Sequence, residues 1–248
     1  MEASCQAWNT MGHPVKRRCA VDETERRPWR EACEAALCAR SREDALRHWG
    51  IGHETDAGPR PPFDYRLEHT RAVVRVARWL AARTGADAEV VECAAWLHDC
   101  EKRLRDSRER DHHAQSASTQ VADILQGTDF PASKIPAVRD AIEQHVGLKL
   151  SRRLQPLEAA CLWDADKLSK LGAASIVHFT CISGSFQPVD TRLILERGER
   201  WIGLARGIVE SLNTAPAQAE GRRRFAFLCR HYAQLRLEWS DPMEESPA

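Results

Sequence analysis

Four histidines fall where a helix would turn them inward. His69, Val73, Val76, Ala77 and Leu80 recur at the spacing of one helix face, and His98 closes the run Val91, Ala94, Ala95. His113 heads the run Ala117, Val121, Ile124, and His145 ends the run Ile135, Val138, Ile142. Burying an unpaired polar ring costs roughly 1–3 kcal/mol. One inward histidine is satisfied by a core hydrogen bond. Several, each near an end of its helix, are satisfied together by a cation, because neutral imidazole is the commonest protein metal ligand. His112 shares its face with the polar Ser116, Thr119 and Asp123 and ranks below His113.

Carboxylates accompany these rings. Asp99 directly follows His98. Neighbours on a helix diverge by about 100°, so the two can share an ion only at a helix end or where that end faces the centre of a bundle. Glu101 could polarise a water, and Lys102, four residues after His98, could meet a phosphate oxygen; each reads equally well as part of a solvated helix end. Further on, Asp164 and Asp166 stand in the otherwise apolar AACLWDADKLSKLG. Two such carboxylates are costly to bury unless paired or metal-bound. Asp164 shares a stripe with Leu157, Cys161, Leu168 and Leu171, whereas Asp166 shares one with Leu162, near Trp163. Periodicity by itself selects Asp164 as the inward residue.

The elements that must position these groups are helical throughout, so the expected fold class is all-α. Trp29–Trp49 reads as a first helix, and the Gly/Pro-rich residues 50–62 as a loop. From Tyr65 helical periods follow one another with short breaks, among them Pro131, and Leu157–Leu171 is bounded by Pro156 and Gly172. Two later helices carry Trp201, Leu204, Ala205, Ile208, Leu212 and then Phe225, Leu228, Cys229, Tyr232, Leu235. Ser183–Pro188 (SGSFQP) reads as a loop bordering the pocket. The expected organisation is a tail at 1–24, an N-terminal helix and loop at 25–62, a metal-binding core at 63–180 and C-terminal helices at 181–248.

Composition excludes several classes. Lys plus Arg (36) balance Asp plus Glu (36), which gives no reason to favour a DNA or RNA duplex or an anionic membrane. The apolar runs are too short for a bilayer span, and the N-terminus has no apolar segment of signal-peptide length. Nine cysteines without a CxxC pair, with Cys93, Cys161 and Cys229 inside helical apolar patterns, read as small buried residues of a cytoplasmic protein.

The order His69, His98-Asp99, Asp166 resembles the H…HD…D pattern of the HD-domain phosphohydrolase superfamily. LEHTRAVVRVA, AAWLHDCEK and DADKLSKLGA resemble the family's local contexts, and the resemblance covers about Leu67 to Ala174. It implies an HD-domain-like helical bundle, here with extra N- and C-terminal helices, in which these four residues hold a divalent metal. The family's closing A-D-[K/R]-L motif places the last ligand at Asp166 and makes Asp164 its partner, against the stripe argument; at this point both remain open. Some members add histidines between the HD doublet and the final aspartate and bind two metals. His113 and His145 stand in that interval and Lys102 completes an HDxxK pattern, so one or two metals per chain are expected. Members use iron, manganese, magnesium, nickel or cobalt. Nitrogen-rich ligation with carboxylates favours the transition metals Mn, Fe, Co or Ni over Mg.

The chemistry this implies is hydrolysis of a phosphoester or phosphoanhydride bond in a small phosphorylated metabolite, a nucleotide being the expected substrate. A bound cation lowers the pKa of water from about 15.7 to as low as ~7 in the best zinc case. Lys102 and Lys167 are candidates to hold the phosphoryl oxygens, and Glu101 or Asp164 to orient the nucleophile. The rivals are a two-metal phosphodiesterase or dinucleoside-polyphosphate hydrolase, a di-iron oxygenase of the same fold, and a non-catalytic nucleotide-sensing scaffold. Arg222, Arg223 and Arg224 read as a solvated helix start or a phosphate patch; His178 and His231 have no partner visible in the sequence.

Overall fold

Aspartates start three of the helices. Asp64 accepts a hydrogen bond from Leu67 N, Asp87 from Glu89 N and Val90 N, and Asp190 from Leu193 N, each satisfying amide groups that the first helical turn leaves without a partner. A computed structural model of the chain describes residues 28–104 and 112–239. The expected tail at 1–24 lies outside them. The described residues form α1 (Pro28–Trp49), α2 (Tyr65–Thr84), α3 (Ala88–Leu97), α4 (His113–Leu125), α5 (Ile135–Gln144), α6 (Leu157–Ser169), α7 (Ala173–Phe186), α8 (Thr191–Ser211) and α9 (Ala215–Trp239). No strand occurs among them, and one isolated bridge joins His53 to Arg60 in the loop before α2. No described helix is long and apolar enough to cross a membrane.

Two short helices make the centre. Every residue of α3 from Val90 to Leu97 is buried, as is every residue of α6 from Ala159 to Ser169. A helix enclosed on most sides has no single apolar stripe, and this is why periodicity misjudges the two aspartates of α6. The flanking helices α2 and α5 each pack on both α3 and α6; α4 lies on α5, and α9 on α6 and α8. Leu162, Trp163 and Leu168 are fully buried at this centre, and truncating such a leucine to alanine costs about 2–5 kcal/mol.

Polar staples fix the outer helices to it. Glu92 of α3 is clamped by Arg30 of α1 (2.7 and 2.9 Å) and Arg78 of α2 (2.8 Å). Trp29 packs edge-on against Phe130 at 5.3 Å. Cys93 and Cys161 are buried as expected, whereas Cys229 is half-buried, and the described cysteines are free thiols.

One element departs from expectation. Residues 183–186, read as loop, are the last turn of α7. That turn is held from outside: Phe186 packs on Trp49 at 5.9 Å, and Trp49 Nε1 donates to Ser185 O at 3.2 Å. α7 itself has little hold on the core. Ser175 is its single buried residue, and Val177 is 60% exposed.

Candidate metal centre

Helix ends aim the site. α3 stops at Leu97, with His98 as its C-cap, so His98 and Asp99 leave the helix through a turn facing the bundle centre. Arg66, buried at the start of α2, holds that turn: it donates to Asp99 O at 3.0 Å and to Asp44 at 3.2 Å. His145 caps the C-terminus of α5, His113 begins α4, His69 lies one turn into α2 and Asp166 lies within α6. All six side chains, His69, His98, Asp99, His113, His145 and Asp166, are buried and meet in one place.

The distances describe two adjoining halves. On one side, His69 Nε2 lies 3.2 Å from Asp166 Oδ1 and 3.8 Å from Asp99 Oδ2. On the other, His113 Nε2 and His145 Nε2 lie 3.4 and 3.5 Å from Asp99 Oδ1. His98 stands between them, with Nε2 3.7 Å from Asp99 Oδ2. Ligand atoms of His69, His98 and Asp166 fall within 4.8 Å of one another, as do those of His98, Asp99 and His145. Either set could hold a metal ion.

The outer nitrogens decide which face of each ring points in. His98 Nδ1 lies 2.8 Å from Ala95 O and His145 Nδ1 lies 2.5 Å from Ile142 O. A carbonyl only accepts, so in each ring Nδ1 carries a proton, and in the neutral form the Nε2 lone pair faces the centre. Ser169 does the same for His69: its hydroxyl donates to Asp166 O at 2.6 Å and so accepts from Nδ1 at 3.4 Å. His98 Nε2 is buried with no hydrogen-bond partner among the described residues. A buried lone pair of this kind is costly unless a cation meets it, and metal-ligating histidines are held by their other nitrogen in this way. The donor set fits a divalent transition metal.

Electrostatics agree. Burial pushes the His98 imidazole down to about 3 and lowers that of His69, which keeps both rings neutral. Burial would raise Asp99, but the Lys102 ammonium overcomes it and holds the carboxyl well below its usual range. Asp166 is held down likewise by the Lys167 and Lys170 ammonium groups against the effect of burial. The centre thus keeps two carboxylates ionised among neutral rings, the charge state a divalent cation requires.

The expected catalytic groups are distributed unevenly. Lys102 stands at the rim, 39% exposed, with Nζ 3.0 Å from Asp99 Oδ2. Glu101 is drawn into an ion pair with Arg40 of α1 at 2.6 Å and makes no contact with the cluster among the described residues. Lys167 is buried, bonded to Asp166 and to His145 O (3.1 Å), so it positions ligands instead of facing a substrate. Asp164 is turned away altogether. It accepts from Asn213 N (2.7 Å), Asn213 Nδ2 (3.0 Å), Thr214 N (2.8 Å) and Thr214 Oγ1 (2.8 Å), fastening the connection between α8 and α9. Four donors fill a carboxylate's lone pairs, so the stripe argument for Asp164 and its place as a partner of Asp166 are both corrected. His112 is exposed.

Other residues were missed. Lys170, one turn after Asp166, bonds its Oδ1; burial would lower its ammonium, but Asp166 raises it. Its i+4 spacing was the available signal. Tyr65 stacks on His69 with ring centres 5.8 Å apart, one turn earlier on the same face. His178 meets Tyr65 edge-on at 5.8 Å and, with Phe179, borders a small hollow beside His69 and Lys170. Arg223 and Arg224 lie inside α9, not at its start, and pair with Glu220.

Comparison with known proteins accords with this geometry. Residues 66–171 match the HD domain family. No curated protein matches the chain. Several solved structures share its fold. YpgQ of Bacillus subtilis, solved in complex with ADP, aligns with a TM-score of 0.55 at 19% identity, covering 83% of this chain and 97% of its own. An HD-superfamily hydrolase of Bacillus thuringiensis aligns at 0.56 and 22%, covering 85% and 98%. A predicted HD-superfamily hydrolase of an uncultured Thermotogales bacterium gives 0.55 and 22%, covering 85% and 92%. Residues 66–171 of the chain thus carry an HD domain.

Proposed function

We propose that this protein is a metal-dependent phosphohydrolase acting on a small phosphorylated metabolite, most readily a nucleotide. The carrying observation is the common orientation of His69, His98 and His145, whose Nε2 lone pairs meet two ionised carboxylates in one buried space. His69, His98, Asp99 and Asp166 would hold one divalent cation. When bound, such a cation supplies Lewis-acid polarisation of a phosphoryl oxygen and acidifies water at neutral pH.

The chain's own groups do the rest. Lys102 at the rim and Lys170 beside the hollow are placed to hold phosphoryl oxygens, each by leaving one contact to a carboxylate that a cation would take over. Lys167 keeps Asp166 in orientation. Arg66 fixes the turn that carries Asp99. The ADP bound by the similarly folded YpgQ supports a nucleotide as the class of substrate.

The approach of His113 Nε2 to His145 Nε2 (3.3 Å) beside Asp99 Oδ1 favours a second reading in which two cations share Asp99 and the substrate is a phosphodiester or dinucleoside polyphosphate. The test of both is the purified protein supplied with manganese, iron or cobalt. Phosphate release from nucleotides, or cleavage of a model phosphodiester, is expected. Inactivity of the metal-loaded protein across a broad panel of nucleotides and diesters would overturn the proposal.

A further inference from the structure

We infer that the cavity enclosed by α7, α8 and α9 seats the base of the substrate, and that it selects a purine whose edge presents hydrogen-bond acceptors, guanine over adenine. The inference rests on the phosphohydrolase reading, because it assigns the base to the same ligand whose phosphate reaches the metal centre.

The cavity holds about 220 Å³ and is walled by Phe179, Trp201 and Tyr232, with Ile194, Arg197 and Gly198. That is below the roughly 300–1,000 Å³ of a site that encloses a whole drug-sized ligand, and suits one ring system. Its walls are aromatic and fixed. Trp201 and Phe179 lie 4.7 Å apart at 58°, and Trp201 Nε1 donates to Lys170 O at 3.2 Å, which locks the indole. Gly198 lets the third ring approach α8 closely: a Cβ there would come within 1.9 Å of Tyr232 Cε1. Planar π faces of this kind stack on a base.

Arg197 supplies the selection. It is half-buried in the lining and has no ion pair or hydrogen bond among the described residues. A guanidinium donates and never accepts, so the ligand edge opposite it must accept. Guanine offers O6 and N7 to a bidentate guanidinium, whereas adenine sets its N6 amino donors against it.

The cavity also adjoins the metal centre. Phe179 borders both this cavity and the hollow that reaches His69 and Lys170. The residue whose carbonyl fixes Trp201 is Lys170, which bonds Asp166 through its ammonium. A base seated against these rings would direct its sugar and phosphates past Phe179 towards Lys170.

Calorimetric titration of the full chain with guanosine and with adenosine, without metal or phosphate, tests this. Guanosine is expected to bind about tenfold tighter or more, and Arg197→Ala to abolish the preference. Equal affinities, or no binding of either nucleoside at millimolar concentration, in the unsubstituted protein would overturn the inference without need of a variant. Hydrolysis of p-nitrophenyl phosphate by the manganese-loaded protein separates the two claims. Cleavage without nucleoside discrimination sinks the base pocket, whereas guanosine preference in a protein that hydrolyses no nucleotide upholds the pocket and removes the phosphohydrolase reading.

Discussion

Nε2 of His113 and Nε2 of His145 stand 3.3 Å apart, and both face Oδ1 of Asp99. His145 reaches that point from the end of α5 and His113 from the start of α4, two helices that pack together. Two imidazole nitrogens at this distance around one carboxylate oxygen are placed for a cation distinct from the one that His69 and Asp166 would hold. Replacing both rings (His113→Ala with His145→Ala) is expected to halve the bound metal from two ions per chain to one. Inductively coupled plasma mass spectrometry of the two proteins checks this; an unchanged metal count rules out the second ion.

Asp164 and Asp166 are separated by one residue and by entirely different duties. Asp164→Ala strips the partners from four donors of Asn213 and Thr214, so a loss of about 3 kcal/mol is expected, with the metal content retained. Asp166→Ala should lose the metal, and because it also strips the buried Lys167 and Lys170 of their carboxylate it is expected to destabilise the metal-free protein by about 3 kcal/mol. Urea denaturation and metal analysis of both variants would contradict this if Asp164→Ala lost its metal while remaining folded.

The Nε2 of His98 has no hydrogen-bond partner among the described residues. His98→Leu is therefore expected to leave the stability of the metal-free protein within about 1 kcal/mol, because it removes a buried unsatisfied atom as well as the bond to Ala95 O. Added manganese at a hundred times its Kd should stabilise the unsubstituted protein by about 2.7 kcal/mol, a gain the variant lacks. Thermal melts with and without metal decide it; equal gains in the two proteins would mean that His98 takes no part.

Acid stability should depend on Glu92. Burial would raise its carboxyl, but hydrogen bonds from Arg30 and Arg78 outweigh this and lower it. A depressed folded value adds stability above the ordinary 4.5, and that stability disappears as the pH falls from 4.5 through the depressed value. Glu92→Gln is expected to cost about 2 kcal/mol at pH 7, with the difference from the unsubstituted protein narrowing below pH 4.5. Denaturation curves across that range check the sign; a gap that widens on acidification is the contrary result.

What could be read in the sequence follows from the range of the interactions involved. His98-Asp99 was legible because adjacency at a helix end is a local property, and the end is where the structure places it. Lys170 was equally local, at i+4 from Asp166, and was overlooked in favour of Lys167, which lies next to the aspartate and is buried against it. Asp164 was not legible, since its partners lie 49 and 50 residues away. Glu101 is similar, because its partner Arg40 sits on a helix whose packing the sequence does not display. α7 escaped detection because it has almost no buried face to imprint a period; its final turn depends on Trp49.

The central claim is that His69, His98, Asp99 and Asp166 share a divalent cation, and metal analysis of the purified protein beside its Asp166→Ala variant tests it most directly. We predict at least one manganese, iron, cobalt or nickel atom per chain in the unsubstituted protein, and loss of the ion from this ligand set in a variant that stays folded. An unsubstituted protein that binds no divalent metal even after incubation with excess manganese, iron and cobalt would contradict the account.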